Sequence, residues 1–319
     1  TLNATTTGAN NVAVGSSAAA ANTTGASNTI IGRNAGMTAT TVSGNTAVGD
    51  NALKLNVAEY NTAVGAFAMD TNTTGTTCTA VGYAALDANS TGSHNTGIGA
   101  YALVANTTGA ANVALGKGAG AGITTGSRNL AIGYNTYDSS DTENDNIAIG
   151  YQAMDANTAG GTKNIALGNY AGDALTSGDE NVLIGYDAGT RINTAVQNIC
   201  IGNDAGAQIT NGTGNIILGR SAGASDVNLD SGDENILIGN FSDTNGANAQ
   251  YQIALGYNVS CNGNNSFVFG NEGTDSAIAF GATSISAPSD VRLKEDIQDE
   301  KIGLDFINDL RPVTFQWKK

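Results

Sequence analysis

A short apolar pentapeptide that ends in glycine recurs seventeen times along this 319-residue chain. The step between successive glycines is most often 17 residues, with single steps of 16, 18 and 20 and shorter steps of 14 and 11 at the end. The glycines are Gly15, Gly32, Gly49, Gly65, Gly82, Gly99, Gly116, Gly133, Gly150, Gly168, Gly185, Gly202, Gly219, Gly239, Gly256, Gly270 and Gly281. A repeat of this length is typical of stacked coils, each of which contacts only its neighbours. We therefore expect a thin rod of about 17 coils with no obvious place for a catalytic cleft.

The pentapeptide follows the pattern N-x-A-x-G, and its apolar residues alternate with period two, which predicts a short β-strand. The fourth position is bulky in every copy, and we expect it to form the interior of the stack. Its residues are Val14, Ile31, Val48, Val64, Val81, Ile98, Leu115, Ile132, Ile149, Leu167, Ile184, Ile201, Leu218, Ile238, Leu255, Phe269 and Phe280. The third position, usually alanine, is expected to face a second copy of the chain, because a strand facing water would favour larger polar residues. This interpretation predicts a closed homo-oligomer, since one thin stack buries little apolar area.

Asparagine opens 13 of the 17 units. Stacked one coil apart, these side chains are expected to form a ladder of amide hydrogen bonds that caps the turn before each strand. The glycine that closes each unit provides either a positive φ or room for a neighbouring backbone. Both residues are therefore expected to be structural.

The net charge of −15 is concentrated in the repeats, where residues 1–288 contain 7 Lys and Arg against 21 Asp and Glu. An acidic rod repels nucleic acid and anionic membranes, so we expect neither partner. The sequence contains no run of 18 apolar residues, so no membrane-spanning segment is predicted. Thr1 falls within a repeat, so sequence is expected to precede it. Cys78, Cys200 and Cys261 show no metal-ligand spacing. Cys78 and Cys200 are expected to fill small positions of the repeat, and His94 is expected at the surface. No cofactor or metal is predicted.

Pentapeptides such as N-T-A-V-G and N-I-A-I-G, followed three residues later by alanine, resemble the repeats of trimeric autotransporter adhesin heads and related phage tail-fibre shafts. The resemblance covers residues 1–281. It implies an all-β, left-handed parallel β-roll, or solenoid, in which three chains pack about a common axis. This chain differs from the adhesins in its longer turn, and only the 14-residue step from Gly256 to Gly270 matches their usual coil.

The composition changes after Gly281, where residues 282–288 form a predicted linker to a different module at 289–319. Residues 301–310 have the apolar spacing of a helix, Pro312 ends it, and residues 313–317 predict a short strand. The strings SDVRLKEDI and GLDFINDLRPVTFQW resemble the start of the endosialidase-type intramolecular chaperone of phage tail fibres and tailspikes. The resemblance implies trimerisation during folding and self-cleavage at the Ser289–Asp290 bond. Ser289 would be the nucleophile and Lys294 its base, with cleavage expected only when the full domain is present.

Together the two resemblances predict a structural and adhesive trimeric fibre, located in a virion tail or on an extracellular surface appendage, that spaces or presents binding to a host receptor or glycan. Two alternatives remain open: a bacterial surface trimeric adhesin and a polysaccharide-degrading tailspike. The paired acids Asp179–Glu180 and Asp233–Glu234 are the candidates for catalytic carboxylates, although their recurrence in matching turns favours a solvated rim. Activity on external substrates is not expected.

Surface positions for ligand binding are less well specified by the sequence. Acidic turns such as residues 141–145 are candidates for Ca²⁺, without a recognised loop motif. The interruption between Gly219 and Gly239 and a set of aromatic residues are candidates for stacking on carbohydrate, with packing between chains as the alternative. The aromatic residues are Tyr83, Tyr101, Tyr134, Tyr137, Tyr151, Tyr186 and Phe241.

Overall fold

The computed structural model describes residues 4–156, 161–224 and 229–281. Within them the fold is all β, without helix, and each pentapeptide forms a strand. The strands are β1 Val12–Val14, β2 Thr29–Ile31, β3 Thr46–Val48, β4 Thr62–Val64, β5 Thr79–Val81, β6 Thr96–Ile98, β7 Val113–Leu115, β8 Leu130–Ile132, β9 Ile147–Ile149, β10 Ile165–Leu167, β11 Val182–Ile184, β12 Ile199–Ile201, β13 Ile216–Leu218, β14 Ile236–Ile238, β15 Gln252–Tyr257, β16 Ser266–Asn271 and β17 Ser276–Ala279. The predicted linker 282–288 and module 289–319 lie outside the described residues.

Strands β1 to β15 each pair in parallel with the next, in the register of the repeat, so that position three of one coil lies beside position three of the following coil. This confirms the predicted parallel solenoid, with about 15 turns and, at about 4.8 Å per turn, a length of about 70 Å. The seventeenth unit does not add a coil, because β17 pairs antiparallel with β16 as a hairpin. The left-handed sense and the trimer stay predictions from the resemblance.

The prediction for the two faces of the strand is wrong, and the two columns are exchanged. The third position is the interior: Ala47, Ala148 and Ala254 are fully buried. The fourth position points outward, where Val14 and Leu115 are 56% and 46% exposed. The reason is the narrowness of the coil, whose opposite side also delivers side chains to the interior. Alanine on the strand leaves room for them, and the bulky aliphatic residues are left on the outside.

The interior stays filled in these coils because a large side chain in one of its columns faces a small residue in another. Where the strand contributes Ala148, the residue four positions after the motif glycine is the fully buried Met154. Where the strand contributes Leu183, that residue is Gly189, and a Cβ there would lie 2.7 Å from a Leu183 methyl group. Close packing explains this exchange, since two large side chains at these facing positions would overlap.

The motif glycine has both of the roles that the sequence left open. At Gly150 φ is +143°, a conformation that side-chain-bearing residues rarely adopt. A Cβ at Gly150 would also lie 2.5 Å from the carbonyl carbon of Gly168 in the next coil. The same combination recurs along the stack, so the constant spacing of these glycines records where adjacent coils approach most closely.

The asparagine ladder is confirmed. The side-chain oxygen of Asn129 accepts the backbone N–H of Asn146 at 2.9 Å, and the Asn146 amide donates to the Gly161 carbonyl at 2.9 Å. A second ladder, which the sequence interpretation missed, lies seven residues after the motif glycine. In it Asn89 donates to Asn72 at 2.8 Å, and Asn106 donates to Asn89 at 2.7 Å. These side chains are buried, and their hydrogen bonds to one another replace the hydrogen bonds to water that they lose on folding.

One rung of this second ladder is missing where Ala39 stands between Asn22 and Asn56. The Asn22 Oδ1 atom is buried without a hydrogen-bond partner, and a small cavity lies beside it. Ala39→Asn should supply an amide donor to this oxygen and raise the unfolding free energy by about 1 kcal/mol. The measurement is the thermal unfolding midpoint of the full chain, followed by circular dichroism.

Ala39→Leu is the matched control, because leucine fills a similar volume without a donor. It should stabilise less than asparagine, since Asn22 Oδ1 stays unpaired. Equal or greater stabilisation by leucine would show that cavity filling, and not the missing hydrogen bond, limits this coil.

Candidate functional site: the outward strand face

The outward face of the strands is an aliphatic surface that follows the solenoid. From β7 to β15 both outward positions of every strand are Val, Ile or Leu, as in Ile147 and Ile149 of β9. Between β2 and β6 the first of these positions is threonine instead. Leu115 and Leu255 are 46% and 45% exposed in the single chain. A continuous apolar surface of this extent is typical of a protein interaction site.

Tyrosine and phenylalanine rings form a second column, exposed or partly exposed, one or two residues after the motif glycine. Tyr134 and Tyr151 stack with their ring centroids 5.5 Å apart, and Tyr170 lies edge-on to Tyr151 and to Tyr186 at 5.4 and 5.9 Å. A shorter run joins Phe67, Tyr83 and Tyr101 in the same way. These contacts run along the rod, so the rings support one another from coil to coil.

Tyr137 does not belong to this surface, which corrects its selection as an exposed aromatic residue. It is fully buried, and its hydroxyl accepts a hydrogen bond from the Asn146 amide at 2.7 Å. Tyr137 lies four residues after Gly133, in the interior column that holds Met154 one coil later. Its place in the repeat, and not its residue type, was the signal that distinguishes it from the outward Tyr134.

The two acidic pairs are not arranged for catalysis. Asp179 accepts hydrogen bonds from the backbone N–H and hydroxyl of Thr162 at 2.6 and 2.9 Å. Its neighbour Glu180 pairs instead with Lys163 at 3.1 Å. Likewise, Asp233 accepts the backbone N–H of Thr213 at 2.9 Å. Three of these four acids each have a structural contact of their own, which favours the rim role over a pair of cooperating carboxylates.

A column of aspartates five residues after the motif glycine carries the largest carboxyl perturbation among the described residues. The pKa of Asp138 is raised to about 7, first by burial and then by a hydrogen bond with Asp155 in the next coil and charge repulsion from it, while a hydrogen bond from Ser139 acts in the opposite direction. The pKa of Asp173, one coil beyond, is raised by burial and lowered in part by a hydrogen bond from Thr190. The folded chain therefore retains a proton at Asp138 where an unfolded chain has lost it.

This retained proton predicts a stability that falls as the pH rises. Because the folded pKa of Asp138 lies above the unfolded value of 3.8, its contribution is complete below about pH 4 and is lost as the pH passes through 7. The thermal midpoint should be higher at pH 5 than at pH 8. Asp138→Asn should raise the midpoint at pH 8 and flatten this dependence. An unaltered slope in the Asp138 variant would contradict the assignment.

The remaining predicted residues have the following positions. Cys78, Cys200 and Cys261 are free and buried, which agrees with the predicted repeat-filling role of Cys78 and Cys200. Burial raises the thiol pKa of Cys200 and Cys261 to about 12. His94 is exposed, and its Nδ1 atom lies 3.1 Å from the Thr77 hydroxyl. Ser289 and Lys294 lie outside the described residues, as do four residues of the interruption between Gly219 and Gly239.

Across residues 4–156, 161–224 and 229–281, no cluster of three or more His, Cys, Asp or Glu side chains is placed to hold a metal ion, including the acidic turn at 141–145. The same residues contain no helix with the length and apolar character needed to cross a membrane.

Comparison with known proteins adds one finding. Residues 289–319 match the family model Peptidase_S74, described as the chaperone of endosialidase. The match begins at Ser289, the residue at which the sequence resemblance to such a chaperone begins. No curated protein matches the chain significantly.

Proposed function

We propose that this chain forms the shaft of a trimeric, extracellular fibre, of the kind found in phage tails, that spaces or presents a host-receptor-binding region. The observation that carries the proposal is the aliphatic outward face from β7 to β15, which leads towards the segment that matches an endosialidase chaperone. Nine successive strands carry this face, and a single chain would expose it to water along most of the rod.

A trimer is the assembly that best explains both features. Chaperones of this family are associated with trimeric proteins, and they act at one end of the chain. Three chains with their carboxyl ends together run parallel, so the aliphatic face of each can turn towards a shared axis. A closed cyclic arrangement covers all three faces and leaves none to bind further chains. The threonines of β2–β6 make the outward face less apolar in the amino-terminal coils than in those of β7–β15.

Sedimentation equilibrium of the full chain tests the assembly. We expect a mass three times that of the 31.9 kDa chain, and electron microscopy should show rods about 70 Å long over the repeats. A stable monomer, or a compact globule, would contradict the proposal.

The adhesive part of the proposal concerns a receptor or glycan on a host cell. A glycan array probed with the labelled trimer is the direct test, with binding to a defined sugar class expected. The separate contacts of Asp179 and Glu180 argue against a polysaccharide hydrolase. Release of new reducing ends from capsular polysaccharide would reverse that choice and favour a tailspike enzyme.

We also propose that Ser289 and Lys294 carry out self-cleavage in the complete gene product. A lysine acts as a base near neutral pH only when its ammonium group is sufficiently desolvated to lose a proton. Ser289→Ala should abolish processing, and mass spectrometry of the unaltered protein should find a new amino terminus at Asp290. Cleavage that continues at this bond in the alanine variant would refute the assignment.

A further inference from the structure

Two columns of side chains bracket the aliphatic face in the coils of β8–β11. In the row of β8, alternate residues are Arg128, Leu130, Ile132 and Tyr134, so a charged residue precedes the strand and a tyrosine follows it. We call the residues before the strands the charged edge and the rings after them the tyrosine edge. The charged edge consists of Arg128, Asp145, Lys163 and Glu180, and the tyrosine edge consists of Tyr134, Tyr151, Tyr170 and Tyr186.

The charged edge alternates in sign from coil to coil. Arg128 binds Asp145 at 2.6 Å, and Lys163 binds Glu180 at 3.1 Å. The cationic side chains remain more than half exposed, at 60% for Arg128 and 62% for Lys163. Exposed pairs of this kind contribute at most about 1 kcal/mol to a fold. The stability of the coil stack therefore gives little reason for four charged residues in succession beside an aliphatic face.

The tyrosine edge is chemically complementary to these cations. Within the chain the same kind of column already accepts them: the Lys117 ammonium lies 5.1 Å from the centre of the Tyr134 ring, and the Arg220 guanidinium lies 4.6 Å from that of Phe241. Tyr151 and Tyr186 are 42% and 51% exposed in the single chain. Their rings can therefore receive further cations from a neighbouring molecule.

We propose that in the trimer the tyrosine edge of each protomer packs against the charged edge of the next, with Arg128 and Lys163 on the facing rings. The inference rests on the proposed trimer. When three parallel copies turn the same face towards one axis, rotation brings opposite edges of neighbouring faces together. The aliphatic face lies between the two edges of each chain. An assembly that covers this face therefore also brings the tyrosine edge of one protomer close to the charged edge of the next.

This contact also specifies the register of the three chains. Both edges occupy the coils of β8–β11, and neither column extends as a continuous block beyond them. Asn203 follows the tyrosine edge in the next coil, and Gln197 follows the charged edge. Alignment without a shift is therefore the only one that places the whole of each block opposite the other. The aliphatic rows alone are too uniform to distinguish a shift by one coil.

Cross-linking tests the proposed contact in the full chain. The double variant Asp145→Cys/Tyr151→Cys places one thiol on each edge of a single row, while the three native cysteines are buried. Treatment with a short bismaleimide should produce a covalent trimer on a denaturing gel. Each single variant should fail to produce one, as should Tyr151→Cys/Ser139→Cys, since Ser139 is exposed away from the strand face.

Sedimentation of the unmodified chain separates the two ways in which this inference can fail. If that chain is a trimer and the folded double variant forms no covalent trimer, the edge contact is wrong and the trimer stands. If the unmodified chain is a monomer, both proposals fall. If the cysteine variant does not fold, the double variant Arg128→Ala/Lys163→Ala provides the test. The dissociation constant of its trimer should be about tenfold larger than that of the unmodified chain. Lys54→Ala, which removes an ion pair to Asp70 away from the face, should leave dissociation unchanged. Equal effects of the two variants would overturn the contact.

Discussion

Replacing Gly150 with alanine is expected to prevent the middle coils from folding. The new Cβ would lie 2.5 Å from the Gly168 carbonyl carbon, a backbone atom that two neighbouring coils hold in place. The φ of +143° adds strain of about 1–3 kcal/mol for a residue with a side chain. Because the overlap comes in addition, we expect a loss of at least about 3 kcal/mol. Circular dichroism and limited proteolysis of the full chain measure the result, with cleavage expected near β9 and β10.

Gly246→Ala is the control for this substitution. No heavy atom lies within 4 Å of the position that its Cβ would occupy, so the change should alter stability by less than about 0.5 kcal/mol. If Gly150→Ala is tolerated as well as Gly246→Ala, the motif glycine does not determine the spacing between coils.

The repeat predicts the fold because its signals are local. Glycine at a constant interval and asparagine four residues before it occur for reasons that one coil and its neighbour contain: the close approach at Gly150 and the amide ladder through Asn146. The final hairpin was not predicted, because β17 retains the apolar alternation of a coil while its 11-residue step is too short to form one. Periodicity identifies a strand, and it does not specify the direction of pairing.

The assignment of faces failed because it applied a rule for isolated proteins. Bulky residues lie inside when water lies outside, but the width of this coil admits Ala148 opposite Met154 and excludes Ile149. The signal that was available is the second position, which changes from threonine in β6 to Val, Leu or Ile from β7 to β15. A strand whose second and fourth positions are both apolar has its apolar face there, whatever the third position contains.

The candidate site was predicted only in part, for a related reason. Tyr134 and Tyr151 lie at the surface because they directly follow the motif glycine, whereas Tyr137 lies in an interior column. Residue type alone does not distinguish them. The ion pair between Arg128 and Asp145 joins residues 17 apart, and it becomes visible only when the sequence is written one coil above another.

The same charged substitution in adjacent columns should have opposite consequences. Leu115→Asp together with Leu255→Asp places carboxylates on the outward face, where both leucines are nearly half exposed in the single chain. The coils should still fold, but three copies of each carboxylate would meet near the axis of a trimer without cationic partners. We therefore expect a folded monomer, identified by sedimentation equilibrium and an unchanged far-ultraviolet spectrum.

Ala114→Asp together with Ala254→Asp makes the matched change one residue earlier in each strand. Both alanines are fully buried, so an unpaired charge there should cost several kcal/mol and unfold the coils around β7 and β15. A folded trimer from the alanine variant, or an unfolded chain from the leucine variant, would show that the interior was assigned to the wrong column. A folded trimer from the leucine variant would instead leave the coil as described and remove the aliphatic face from the interface, because each aspartate would then have to remain in water in the assembled fibre.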